Sequence, residues 1–324
     1  MGHTASVVIA TYKRPEHIRE CLAHLALQTV APVRVIVVDA SPDALTRDVV
    51  ATFPGVEYRR NERGIGATAT SRAIGISDVT EDVVAFIDDD AYAEPEWLEE
   101  LLVPYEDDSV SAVGGRARNG QPDEEDEGIG QIGLLLPDGR LTGFFAADPG
   151  RDVPVDHLLG ANMSVRTSAV RALGGIRDFY PGTCLREETD IALRMRRAGM
   201  KIIYRPTAVV RHVAGNYARG RRFDARYRYY GARNHIVLLA TTLGYRDPHL
   251  RRYLRTTVSR AGHDLVAGVR TVRDPKRRGV GAKVRGVLGG VRRAGLDLTG
   301  TVGGLVASVG ATAQVRRMRR PVSA

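Results

Sequence analysis

Cysteine is nearly absent. Cys21 and Cys184 are the only two in 324 residues, too few for a disulfide framework, and no Cys/His cluster has zinc-ligand spacing, so a reducing compartment is expected. The N-terminal MGHTASVVIATYKRP has no basic n-region, apolar h-region and cleavage site, which excludes a signal-peptide reading and predicts a cytoplasmic location. Long hydrophobic runs are also missing. The uncharged stretch Leu298 to Val315 has transmembrane length, but Gly, Thr, Ala and Ser dominate it, so it is not read as a span. Aromatic residues make up only 6% of the chain, and none interleave with its basic clusters in the manner of a nucleic-acid surface.

A hydrophobic content of 43% can supply a full core. The formal charge of +9 is unevenly placed: from Arg246 onward there are 18 Lys/Arg and 4 Asp/Glu, a balance of +14, which leaves −5 for residues 1–245. The basicity belongs to the tail. Two domains are therefore expected, residues 1–245 and a basic helical extension over 246–324.

SVVIAT (6–11) and VRVIVVDA (33–40) are β-branched and apolar on both faces, as strands covered by helices on each side must be. Between them Pro15 can open a helix whose Ile18, Cys21, Leu22 and Leu25 recur at helical spacing. Further alternation follows: helix 44–53, strand 56–60, helix 67–76 and strand 83–88. The pattern predicts an α/β, doubly wound, mainly parallel sheet.

Ligands in such sheets bind beyond the carboxyl ends of the strands. Asp39 ends the second strand, and Asp88, Asp89 and Asp90 end the fourth. One aspartate there can simply cap a helix. Three adjacent carboxylates repel one another unless a cation lies among them, and oxygen ligands suit Mg²⁺ or Mn²⁺. Trp97 lies in EWLEELL, an ordinary amphipathic helix, and is expected in the core. Gly64-x-Gly66-x-x-Ala69 partly matches a dinucleotide fingerprint but follows the third strand rather than the first, and is discounted.

The ordered set VVIATYKRPEHIRECLAHLALQ, VIVVDAS, the Arg63–Gly75 segment, FIDDD, HLLGANMSVRTSAVRALGG and REETDIALRMRRAGMKIIYRPTAVVRH resembles the family-2 glycosyltransferases as far as about residue 240. The resemblance implies the nucleotide-diphospho-sugar (GT-A) fold. It implies further that Thr11, Tyr12 and Arg14 line a nucleotide pocket, that Asp39 reads the base, and that Asp88 and Asp90 fall on the Asp-x-Asp motif beside Asp89. Asp90 would hold Mn²⁺ or Mg²⁺ against the diphosphate, with His212 completing the contacts. Arg72 would face the donor phosphates, a plain surface arginine being the alternative; where the family usually has Asn after this arginine, the chain has Ala73. Asn162 in GANMS would pass beneath the donor sugar.

Glu187, Glu188 and Asp190 open a helix, where carboxylates also suit the helix dipole. The family uses the second acid of a pair here as general base, which points to Glu188, with Glu187 beside it as the alternative and Asp190 orienting the site. The implied reaction is inverting, metal-dependent transfer from a UDP- or dTDP-sugar to a hydroxyl of a polysaccharide, glycolipid or small-molecule glycoside. Two other readings are weaker. A nucleotidyltransferase of similar fold would want a glycine- and lysine-rich phosphate loop near the N-terminus, and nucleic-acid binding would rest on the tail's arginines alone. RYRYYGARNHIVLL reads as a helix. Beyond it, basic helices of the tail could attach to anionic lipid at the inner face of a membrane, near a lipid-linked acceptor, or form a solvated tail.

Overall fold

Valine and isoleucine side chains on alternate faces of one strand go to opposite cores, and SVVIAT forms such a strand. The computed structural model describes residues 2–213, 225–272 and 279–318. In chain order the elements are β1 (Ala5–Thr11), α1 (Pro15–Leu25), β2 (Arg34–Asp39), α2 (Leu45–Val50), β3 (Val56–Arg60), α3 (Thr68–Gly75), β4 (Val83–Asp88), β5 (Ala91–Ala93) and α4 (Trp97–Leu102). There follow β6 (Val110–Arg118), β7 (Val153–Pro154), β8 (Asn162–Arg166), α5 (Thr167–Ala172), α6 (Glu187–Arg197), β9 (Lys201–His212), α7 (Ala225–Thr242), α8 (Pro248–Arg270) and α9 (Val280–Met318).

The chain divides into two compact units, Met1–Leu135 with Leu141–Asp178 and Glu187–Arg221, and Leu136–Arg140 with Phe179–Arg186 and Arg222–Ala324. The change in charge comes at Arg246, but α7 falls in the second unit, because packing rather than composition sets the division.

In the first unit the strands form one sheet in the order β3-β2-β1-β4-β8-β6-β9-β5, with β7 on β9. Strands β3, β2, β1 and β4 are parallel. β8 then runs antiparallel to both β4 and β6, so the sheet is parallel on one side and mixed on the other. Val7 and Ile9 join a core with Ile18, Leu22, Trp97 and Leu101 on one face. Val8 joins Phe86, Met163, Ile191 and Met195 on the other. Both faces are thus covered, as the apolar strands require.

The parallel register positions the site. Thr11 stands opposite Asp39, and Ala10 opposite Asp88. Three strands therefore deliver their polar last residues to one edge. On the far side, pairing of β5 with β9 sets Ala91 opposite His212, one residue from Asp90.

Trp97 is fully buried, and its indole N–H donates to Asn162 Oδ1 at 2.8 Å. The Asn162 amide N–H groups donate to Arg116 O and Ala208 O, both at 2.9 Å. A Cβ at position 115 would come 2.0 Å from Ala208 O and 2.5 Å from that amide nitrogen, so Gly115 is what admits the bracket.

In the second unit α7 holds the Phe179–Arg186 segment. Arg233 Nη1 donates to Phe179 O at 2.8 Å, and Asn234 Nδ2 donates to Pro181 O and Leu185 O at 3.2 and 3.3 Å. α9 packs on α7 and α8 through small residues: a Cβ on Gly300 would meet Tyr229 O at 2.5 Å, and one on Gly304 would meet Arg233 O at 2.6 Å. Among the described residues α9 alone is long and apolar enough to cross a membrane by length and composition. Of the tail's basic clusters, KRR at 276–278 and Arg319–Arg320 lie outside the described residues.

Trp97→Ala should destabilise the protein by about 3–5 kcal/mol, because it opens a large cavity and strips Asn162 of its donor. Urea unfolding followed by circular dichroism measures this; a loss under about 1 kcal/mol would mean that the indole is not a packing anchor.

Candidate active site

The three aspartates after β4 are separated by their neighbours into different electrostatic roles. Asp89 is buried; its Oδ2 accepts from the Thr11 hydroxyl at 2.7 Å and its Oδ1 from Arg14 Nη1 at 2.9 Å. The same Arg14 nitrogen donates to Asp90 Oδ2 at 2.8 Å. Burial pushes the Asp89 carboxyl up to about 7, against the pull of Arg14 and with a further push from Asp90. At Asp90 burial also acts upward, but the His212 hydrogen bond, the His212 charge and Arg14 outweigh it and hold that carboxyl at about 2. His212 Nε2 lies 3.4 Å from Asp90 Oδ1. Burial disfavours the imidazolium, yet the Asp90 partner more than offsets this and raises the His212 pKa above its ordinary value.

Asp88, Asp90 and His212 each offer one ligand atom, and these atoms lie within 4.8 Å of one another. Two carboxylates and one imidazole make a donor set that fits a divalent cation. The order FIDDD shows only the carboxylates; the imidazole arrives through β5–β9 pairing.

Arg72, from α3, is buried rather than on the surface. Its Nη2 donates to Asp88 Oδ1 at 3.1 Å and to Gly160 O at 2.8 Å, and its Nη1 donates to Glu187. One guanidinium thus ties the end of β4 to the first residue of α6. Burial pushes the Glu187 carboxyl above its ordinary range, Arg72 opposes this, and Glu188 and Asp88 add to it. Glu188, the next residue, is only half-buried. Asp190 is fully buried; Arg194 Nε donates to its Oδ1 at 2.6 Å, and Arg177 Nη1 lies 3.8 Å from its Oδ2.

The remaining expected residues lie at the same edge, some with their polar atoms already committed. Asp39 is fully buried: Oδ1 accepts from Ser41 N at 2.8 Å and from its hydroxyl, and Oδ2 accepts from Tyr58 OH at 3.0 Å. Tyr12 is half-buried at the turn after β1, where Lys13 takes φ 56° and its N–H donates to Ser41 Oγ at 2.7 Å. Asn162 is buried, spends both N–H groups on backbone carbonyls and accepts from Trp97. Sequence reasoning missed Ser41 and Tyr58 around Asp39, the pairing of Arg14 with the aspartates, and the bridging position of Arg72. The signal for Tyr58 was its place on the strand beside β2; for Arg72 there was none beyond its location on the helix after β3.

Over 116 residues the chain is 40% identical to the glucosyl-dolichyl phosphate glucuronosyltransferase of Haloferax volcanii, an alignment covering 34% of this chain and 37% of that protein. It is 28% identical over 201 residues to the O-antigen chain rhamnosyltransferase WbaN of Salmonella anatum, covering 61% of each. The chain thus spans well under two thirds of the first of these relatives. Among solved structures it resembles the mannosyltransferase PcManGT of Pyrobaculum calidifontis, determined with GDP-Man and Mn²⁺, at a TM-score of 0.57 and 16% identity over 97% of this chain and 88% of that one. At that identity the likeness speaks for the fold, which is GT-A. The model of the family "Glycosyl transferase family 2" matches residues 6–174, just over half of the chain, and the protein belongs to that family.

Proposed function

We propose that the protein is an inverting, divalent-metal-dependent glycosyltransferase that moves a sugar from a UDP- or dTDP-sugar to an acceptor hydroxyl. The observation that supports this most directly is the buried Arg72 bridge, which joins a cation-ready Asp88–Asp90–His212 cluster to the acidic start of α6. We assign the chemistry to the sheet-containing unit and to residues within 1–245, with 246–324 as an extension.

Asp88, Asp90 and His212 would hold the metal, which when bound supplies Lewis-acid stabilisation of the charge that gathers on a departing nucleoside diphosphate. Thr11, Tyr12 and Arg14 shape the nucleotide side; Arg14 also keeps Asp89 and Asp90 together. Asp39, with Ser41 and Tyr58 fixing its carboxylate, presents an acceptor for a ring N–H of uracil or thymine. Asp89, held by Thr11, orients its neighbours. Arg72 belongs to the diphosphate side through Asp88.

Glu188 is the base in this reading. Glu187 is buried against Arg72 and Asp190 against Arg194, whereas Glu188 reaches solvent. It takes the proton of the acceptor hydroxyl as that oxygen bonds to the anomeric carbon. The carbon–oxygen bond to the diphosphate breaks on the opposite face, and configuration inverts. Glu187 and Asp190 position the start of α6. The acceptor class includes polysaccharide, glycolipid and small glycoside hydroxyls, and the dolichyl phosphate in one relative's name puts lipid-linked acceptors first for trial. The enzyme would then work in the cytoplasm at the inner face of the membrane.

Four outcomes test this. Glu188→Gln should retain nucleotide binding and lose about 10²–10⁴-fold in transfer measured with a sugar-nucleotide screen; wild-type transfer would remove Glu188 as base. Tm should rise with UDP or dTDP only when Mn²⁺ or Mg²⁺ is present, and Asp90→Ala should abolish the rise. Because metal binding needs neutral imidazole and His212 has a raised pKa, affinity for Mn²⁺ should fall on acidification from about pH 8 to about pH 6; calorimetry showing no change would exclude His212 as a ligand. Removing the bridge with Arg72→Leu should cost about 3–5 kcal/mol, since two carboxylates lose their common partner, and denaturant unfolding showing no loss would make the bridge dispensable.

A further inference from the structure

Helix α9 is turned inside out relative to a water-soluble helix. Its buried residues include Gly290, Asp297, Gly300, Gly304 and Ser308, all small or polar. Most of its branched residues face solvent, Val315 being a buried exception. Val284, Leu288 and Val291 in the first half and Val302, Val306 and Val309 in the second are each between 48% and 71% exposed. Spacings of four and three within each half, and eleven between them, keep all six on one face, since eleven residues make about three turns. A stripe of this length on a soluble surface signals a partner.

The charges on α8 and α9 indicate which partner. Together the two helices carry eleven Lys/Arg and two acidic residues, Asp264 and Asp297. Both acids are used internally: Arg228 of α7 donates to Asp297 Oδ1 at 2.6 Å and also to Asp264, and Arg293 Nε donates to Asp264 Oδ1 at 2.9 Å. The arginines at 251, 252, 255, 260, 270, 285, 292, 316 and 317 remain exposed. Arg285 and Arg292 each follow a stripe valine by one residue, so they line one edge of the apolar face. The outward side of these helices is therefore apolar and cationic, with no acidic residue outside an internal ion pair.

We infer that the α9 stripe lies flat on an anionic lipid surface, with Val302, Val306 and their neighbours entering the acyl boundary and the flanking arginines meeting lipid phosphates. A flat orientation follows from length and packing. At roughly 1.5 Å per residue the 39-residue helix is about 58 Å long, about twice the hydrocarbon thickness. Its other face is occupied by α7 and α8 along with the Arg228 ion pairs. The inference adds to the sugar-transfer reading a surface that would bring the enzyme to lipid-linked acceptors, but it does not need that reading to hold.

Co-sedimentation of the purified full chain with extruded vesicles tests it, with neither nucleotide nor acceptor present. The chain should pellet with vesicles of phosphatidylcholine containing phosphatidylglycerol, stay in the supernatant with phosphatidylcholine alone, and bind less tightly as salt rises. The double variant V302D/V306D, changed only at solvent-facing positions, should keep the wild-type Tm and its nucleotide-dependent rise while its partitioning falls at least about tenfold. The expected result in R285E/R292E is the same direction.

Unchanged partitioning of V302D/V306D would overturn the inference, as would equal binding to neutral vesicles or no binding to either. If instead the chain forms a concentration-dependent dimer that V302D/V306D dissolves, and no vesicle binding, the stripe belongs to a second copy. Binding that survives carbonate extraction would mean a spanning helix rather than a surface one. Failure of the nucleotide-dependent Tm rise with vesicle binding intact would remove the transferase reading and leave this one.

Discussion

A buried arginine shared by two carboxylates from distant parts of the chain is the constraint on which the first unit's site depends. Arg72 reaches Asp88 at the end of β4, Gly160 before β8 and Glu187 at the start of α6. Its own burial would be costly if any of those acceptors were missing, because a desolvated guanidinium needs its donors satisfied. The acceptors are equally dependent on it. Separations of 16, 88 and 115 residues are closed by one side chain, which fixes where the acidic helix begins relative to the aspartates.

Around that bridge the acids divide by what holds them. Asp39, Asp89, Glu187 and Asp190 are buried and tied to hydroxyls or guanidinium groups, while Asp88 and Glu188 keep access to solvent. Identical chemical groups thereby sit in different surroundings, some enclosed by protein donors and others open to solvent. The split values at Asp89 and Asp90, about 7 and about 2, come from the same logic, since only Asp90 has His212 as a close partner.

Much of the frame was legible from residue order. The apolar strands, the helix after Pro15, the carboxylates at the ends of β2 and β4, and Trp97 in the core all follow from periodicity and from where polar residues interrupt apolar runs. Other features were not. The direction of β8 depends on the path of a long connection, which no local pattern encodes. Arg72 is indistinguishable in sequence from a surface arginine, because its partners lie far along the chain. The partners of Asn162 were illegible for a related reason: nothing in GANMS shows that Gly115 on another strand opens the space that draws the amide inward.

The second unit adds a case where composition was informative and its meaning was not. Basic and glycine-rich content marked the region after Arg246, but whether the glycines made a loose tail or a tightly packed helix depended on what faced them. Helix α9 uses them against α7, leaving most of its valines outside. By itself the sequence determined which segments become strands and helices, and it placed the aspartates at strand ends, because these depend on neighbours within a few residues. Only the tertiary structure decided which aspartate meets a histidine, which glutamate is spent on Arg72 and which face of α9 remains uncovered, because each requires contacts between residues that are remote in the chain.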